Sequence, residues 1–340
     1  MQMSSNAILT KVRAIFGQRL TAADYAQMAR KKDVGEVAAY LKEHSSYRRA
    51  LRDIRETEVH RGRLEALLKK DTFYKYVALH RYDFSGIDFY NYILVRAEID
   101  AILERIAALS SGGKGAFIAD LPSYLMHRVS FSMKALADAG SFEAVLSCLA
   151  GTPYQKLLAG LPLGAGGRPD SLLCEHALYS YYYQYMFQSV DRDFSGKARQ
   201  QLREIFLCEI DVRNFETIYR LRHIYKKPPE EVRPLLYPYQ GALKASAREA
   251  MLQTAEAGEM LRLAKLFKGE GTPDGSFIEL LTHRYRFRFG KKKLRFATDA
   301  PVAMYAFLAL RSMEVQNIIT IIEGVRYQIP QAEILSLLIQ

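Results

Sequence analysis

Residues Gln201 to Leu221 read QLREIFLCEIDVRNFETIYRL. The apolar residues Leu202, Ile205, Phe206, Ile210, Phe215, Ile218 and Leu221 recur at steps mostly of three to five, a stripe that winds round a helix. The spacing predicts one long helix. Similar periodicity runs outward through Leu64 to Tyr76, Phe89 to Leu109, Val129 to Leu149, Leu172 to Val190, Gly241 to Phe267 and Val302 to Val325, and β signals are missing. The chain therefore reads as all-α. Turn chemistry falls at Ser110-Ser111-Gly112-Gly113, Gly160 to Asp170, Pro228-Pro229 and Gly269 to Gly275, none long enough to be a flexible linker between independent domains.

Short elements recur along the chain. Asp33-Val34-Gly35-Glu36-Val37, Asp138-Ala139-Gly140-Ser141-Phe142 and Glu256-Ala257-Gly258-Glu259-Met260 each place an acid and a glycine before an apolar helical run. A second element has an acid, then Asn three residues on, then an apolar or aromatic residue: Asp88 with Asn91, Asp211 with Asn214, and Glu314 with Asn317. Between the two elements stands a further glutamate, at Glu58, Glu175 and Glu279, always in the same order. After the last two Asn elements, Pro228-Pro229-Glu230-Glu231-Val232 matches Pro330-Gln331-Ala332-Glu333-Ile334. These echoes predict three similar helical units, 1–109, 110–226 and 227–340, each large enough for a small core.

An acid and an Asn at i and i+3 share one helix face, and inside a long amphipathic helix they are partly buried and need hydrogen-bond partners. The pairs are thus expected to fix how each helix sits on its neighbours, a carboxylate site being the less favoured alternative. Ser111-Gly112-Gly113-Lys114-Gly115 lacks the GxxxxGK[ST] spacing and a preceding strand, so it reads as a solvent loop and not a phosphate cradle. The seven histidines show no metal-ligand spacing, and no GxSxG, Ser/Lys or Cys/His signature points to a nucleophile. No cofactor is expected. The aromatic run Tyr179, Tyr181, Tyr182, Tyr183, Tyr185 and Phe187 lacks interleaved Lys or Arg and reads as core and interface packing.

The most charged segment holds Arg284, Arg286, Arg288, Lys291, Lys292, Lys293 and Arg295 with no acid among them. It reads equally as a phosphate-binding ribbon or basic edge facing an acidic partner and as a merely solvated face. Because Tyr285, Phe287 and Phe289 alternate with its arginines, it is the one place where a short extended segment could interrupt the helices.

Lys and Arg total 48 against 37 Asp and Glu in 340 residues, a net charge of +11 that invites an acidic partner: nucleic acid, an anionic membrane surface or an acidic protein. With 49% hydrophobic and 25% charged residues the composition is that of a globular protein, and no apolar run approaches the roughly 18 residues of a membrane span. Met1 to Thr10 lacks the apolar core of a secretory signal, and Cys148, Cys174 and Cys208 form neither a disulfide framework nor a zinc pattern, so a cytoplasmic location is expected.

Taken in order, Asp24-Tyr25-Ala26-Gln27-Met28, Asp33 to Leu41, Glu209 to Phe215, and Glu314 to Ile318 with Gly324 and Arg326 resemble the C subunit of the A/V-type ATPases, whose eukaryotic counterpart is the d subunit. The resemblance runs from about Thr21 to the C-terminus. It departs from register at the basic residue after each Asn, where Arg96, Arg220 and Arg326 stand five, six and nine residues on, and Gly160 to Asp170 looks like an insertion. The resemblance implies a funnel of three helical bundles about a pseudo-threefold axis. It also implies a non-catalytic piece of a central rotor on the cytoplasmic face of the membrane, peripheral to it, with the central shaft on one side and the proteolipid ring on the other. ATP hydrolysis or synthesis would then be coupled to proton or sodium-ion transport, with neither a small-molecule substrate nor nucleic acid as partner. An all-α basic nucleic-acid-binding protein is the main alternative, and an enzyme using the acid/Asn pairs is the second.

Overall fold

Every regular element in the described residues is helical, and no strand occurs among them. The computed structural model describes residues 2–55, 59–82, 88–110, 128–164, 167–267 and 278–340; Glu58, Ser111 to Gly115 and Gly269 to Gly275 lie outside these. The helices are α1 (Gln2–Gly17), α2 (Ala22–Met28), α3 (Val34–His44), α4 (Arg61–His80), α5 (Tyr92–Ser110), α6 (Met133–Asp138), α7 (Phe142–Cys148) and α8 (Pro153–Ala159). They continue with α9 (Ser171–Asp193), α10 (Gly196–Ile218), α11 (Pro229–Val232), α12 (Ala245–Leu252), α13 (Ala257–Ala264), α14 (Ile278–Phe296), α15 (Ala300–Arg326) and α16 (Gln331–Ser336).

These sort into two compact units, one of Met1–Gly86 with Gly196–Gln340 and one of Ile87–Ser195. In the larger unit α15 is the axis of packing. It buries 20 of its 27 residues, as a helix that is apolar nearly all round must, by lying against α1, α4, α10 and α14. One core joins the C-terminal half of α15 (Val315 to Val325) to α2, α3, Tyr47, Leu51 and the first turns of α4. Another joins Phe215, Ile218 and Tyr219 to α12, α13 and Leu281 of α14. In the smaller unit α5 packs on α9, with α6, α7 and α8 beside them. The aromatic run of α9 forms that core: Tyr179, Tyr182, Tyr183 and Phe187 are buried, and Tyr181 and Tyr185 stack with ring centroids 6.3 Å apart.

Two stretches predicted as continuous are each a pair of short helices. Val129 to Leu149 breaks into α6 and α7 because the chain turns extended at Ala139, the C-cap of α6, and the Ser141 hydroxyl caps Ala144 N at 3.2 Å to start the second. Gly241 to Phe267 breaks into α12 and α13 at Gln253 to Glu256. The middle acid-glycine echo shifts with the break. Asp33, Ser141 and Glu256 are the N-caps of α3, α7 and α13, whereas Asp138 is the last residue of α6. In the cap register the burial agrees: Val37, Val145 and Met260 stand four residues on, each 0% exposed.

The basic segment is also corrected. Arg284 to Arg295 lies wholly within α14, so no extended segment interrupts the helices there. Helical spacing sets Lys291 over the Phe287 ring at 5.1 Å and Lys293 over Phe289 at 5.2 Å. Glu279 in its first turn and Lys293 and Arg295 in its last complement the helix dipole.

Candidate functional site

The Gln201 helix continues from α10 into a π-helical turn, Tyr219–Ile224. Midway along it Asp211 and Asn214 are 1% and 0% exposed, and both bind main chain. Asn214 donates from Nδ2 to Tyr237 O at 3.0 Å and accepts Tyr237 N on Oδ1 at 2.8 Å, closing both polar groups of one residue. The Asp211 carboxylate accepts the N–H groups of Gly241 (3.3 Å), Ala242 (2.5 Å) and Leu243 (3.1 Å), which lead into α12. Gly241 is required here because a Cβ would fall on the Asp211 carboxylate. Burial pushes the Asp211 carboxyl up, while the three N–H donors and Arg248 pull the other way without overturning it. Arg248 itself donates to Tyr237 O at 2.8 Å and Tyr239 O at 3.3 Å.

α15 carries the same device. Asn317 donates to Ile339 O at 2.8 Å and accepts Ile339 N at 2.7 Å. Glu314 accepts Leu20 N at 2.8 Å, at the residue before Thr21, the N-cap of α2. Its other oxygen accepts the Tyr47 hydroxyl at 3.0 Å and Arg311 Nη1 at 2.6 Å. Arg311 also donates from Nη2 to Asp71 on α4 at 2.8 Å and lies 3.7 Å over the Tyr47 ring. Burial alone would lower the Arg311 guanidinium, but Tyr47, Glu314 and Asp71 hold it above its usual value. Burial pushes the Tyr47 hydroxyl well up.

In the smaller unit the acid that takes this part is Glu98 on α5. It accepts Ser130 N at 2.5 Å, two residues before Ser132, the N-cap of α6, and the Tyr154 hydroxyl at 2.6 Å. Asn91 closes the 3-10 turn Asp88–Asn91 ahead of α5, where its Oδ1 accepts Arg128 Nη2 at 3.2 Å. Three long helices thus each offer a carboxylate to the main chain that opens a pair of short helices: α15 for α2 and α3, α5 for α6 and α7, α10 for α12 and α13.

α10 and α15 also end alike. Pro228 and Pro330 cap α11 and α16, with Val232 (0%) and Ile334 (1%) buried four residues on. Before each proline comes a residue at positive φ, Lys226 at 53° and Gln328 at 56°, and before that an exposed tyrosine, Tyr225 at 63% and Tyr327 at 65%. From Asn to Pro is 14 residues in the first case and 13 in the second, and the π turn absorbs the extra one.

Across residues 8–337 the chain matches the family described as ATP synthase (C/AC39) subunit. The chain belongs to that family. No curated protein matches it.

In this member of the ATP synthase family the basic segment of α14 divides by what its cations touch. Arg284 donates to Ser336 O (2.9 Å) and Leu338 O (3.2 Å), Arg286 pairs with Glu216 at 3.4 Å, and Lys293 pairs with Glu204, so these three tie α14 to α16 and α10. Arg288, Lys291, Lys292 and Arg295 are exposed. Among the described residues no cluster of His, Cys, Asp or Glu is arranged to hold a metal, and no helix is long and apolar enough to cross a membrane. Reading the sequence missed Glu98, Arg311, Asp71, Tyr47 and Tyr154. The nearest signal was an acid inside an apolar helix, since an ionisable group there needs a buried partner.

Proposed function

We propose that this protein is a non-catalytic adaptor of the central rotor, peripheral to the cytoplasmic face of the membrane. It would couple the shaft of the catalytic head to the proteolipid ring, so that ATP hydrolysis or synthesis drives or follows proton or sodium-ion transport. The family match over residues 8–337 carries this reading. The local geometry supports it. A part that transmits torque needs helices that do not slide, and α10 and α15 are pinned by side chains that grip backbone on both sides of each contact. Buried polar networks whose members hold one another in place give this rigidity. The acid/Asn pairs on α10 and α15 act in this reading as structural pins: Asp211, Asn214 and Asn317 are spent on main chain, and Glu314 on Leu20 N, Tyr47 and Arg311. The exposed cations of α14 belong to a partner face; contacts of about 1,200 to 2,000 Å² are ordinary for stable assemblies.

Affinity purification of the tagged chain from gently solubilised native membranes, followed by mass spectrometry, tests the reading. Recovery of shaft and proteolipid subunits is expected. Recovery of nucleic acid without them would replace the adaptor with the nucleic-acid-binding alternative.

A further inference from the structure

α1 carries no acid, the first acid of the chain being Asp24, and Arg284 to Arg295 carries none either. Both helices pack on α15, and between them runs a groove. Its outer part, about 550 Å³, is lined by Phe16, Gly17, Leu294 and Phe296 with Arg13, Lys291, Lys292 and Arg295. Its inner part, about 270 Å³, shares Phe16 and Lys291 and runs on past Arg19, Phe287 and Phe307. Phe296 is 59% exposed, beside cations and without an acid lining the outer part. Arg13 is held in place by donating to Ala297 O at 2.9 Å.

We infer that this groove docks an acidic amphipathic helix of a partner protein. Apolar side chains of that helix would enter between Phe16, Leu294 and Phe296, and carboxylates on its flanks would meet Arg13, Lys292 and Arg295. The inference rests on the reading of the exposed α14 cations as a partner face and adds the chemistry of what they receive. Three observations select this occupant. The groove runs between two helices over Phe16, Leu294 and Phe296 and on past Phe287 and Phe307, which fits a helix seated by anchors at helical spacing and gives a flat bilayer little to hold. The cations stand at the rim, where charge complementarity sets partner choice and association rate. A second copy of this chain, also at +11, is repelled.

The test uses the full chain and fluorescence anisotropy with a labelled peptide of leucines at helical spacing separated by glutamates. Comparison probes are the same residues scrambled, polyglutamate of equal length, single-stranded DNA, and vesicles of phosphatidylcholine with phosphatidylserine. The amphipathic peptide is expected to bind at least about 10-fold more tightly than the scrambled one, because aligned anchors fill the groove. Lys291→Glu with Lys292→Glu and Arg295→Glu is expected to weaken it about 100-fold, and Phe296→Ser alone about 10-fold, with unchanged circular dichroism. Equal binding of scrambled peptide, or cation-dependent binding of vesicles or DNA in its place, overturns the inference but keeps a charged partner face. If no probe responds to the charge reversal and the reversed chain still recovers the shaft and proteolipid subunits, the partner-face reading falls too.

Discussion

α10 and α15 use one device on two kinds of target. On α10 what the acid and Asn hold is close along the chain: Asn214 reaches 23 residues on to Tyr237, and Asp211 reaches 30 to 32 residues on, to a turn closed by Gly241. On α15, Asn317 holds Ile339 22 residues on, but Glu314 holds Leu20 across 294 residues and Tyr47 across 267. The short-range site is a carboxylate inside a ring of backbone N–H groups and needs no paired cation. The long-range site gathers α2, α4 and α15 at one point and sets Arg311 between two carboxylates. A local turn can satisfy a buried acid with main chain alone, whereas joining distant segments brings charges together that must neutralise one another.

The largest effect is expected where that contrast is sharpest. Arg311→Ala leaves Asp71 and Glu314 facing each other and should cost about 3 to 5 kcal/mol in urea unfolding. Arg248→Ala removes donors from carbonyls but orphans no carboxylate, and should cost about 1.5 to 3 kcal/mol. Equal losses would break the contrast. Asn317→Ala orphans the N–H and C=O of Ile339 and should cost about 2 to 4 kcal/mol, while Asn214→Ala orphans Tyr237 N but leaves its carbonyl with Arg248 and should cost about 1 to 3 kcal/mol. If Asn214→Ala costs more than Asn317→Ala, Arg248 does not keep Tyr237 O satisfied.

Gly241→Ala and Gly324→Ala each drive a Cβ into a neighbour, Asp211 in one case and Ile334 Cγ1 at 2.5 Å in the other, at about 1 to 3 kcal/mol. Ile334→Ala should relieve Gly324→Ala in a double-mutant cycle and leave Gly241→Ala untouched; additivity at both sites would refute the packing account. The smallest effect concerns pH. The folded Asp211 carboxyl titrates above the ordinary 3.8, so the unfolded state loses this proton first and stability falls as pH rises from 3.8 to the folded value. Relative to Asp211→Asn, the wild type should therefore lose ground across that window in chemical denaturation. A wild type that gains ground instead would mean that the three N–H donors outweigh burial.

Much of the fold was legible because helical periodicity repeats every few residues. The six outlying helical stretches and the Gln201 helix were all found this way. The two breaks were harder to see. Gly140-Ser141 signals a start only if the preceding helix is known to have ended, and Gln253 to Glu256 carries neither Gly nor Pro. The alternating arginines of Arg284 to Arg295 imitated a strand because their aromatic neighbours also fit i to i+4 contacts. In the site, Asn214 and Asn317 stood out by their shared spacing. Glu98 did not, because no Asn follows it at three residues.

Spacing along short stretches was enough to establish the all-α class, the recurring Asn positions and the matched prolines after them, and the resemblance of whole motifs in order pointed to the family. What the buried acids hold emerged only from the packing of the folded chain. Each of them takes main-chain N–H groups, which every residue but proline carries, so no residue type marks Leu20, Ser130 or Ala242 in advance. The meeting of Arg311 with Asp71 across 240 residues is of the same kind, because a buried charge is neutralised by whatever the packing brings beside it, wherever that lies in the chain.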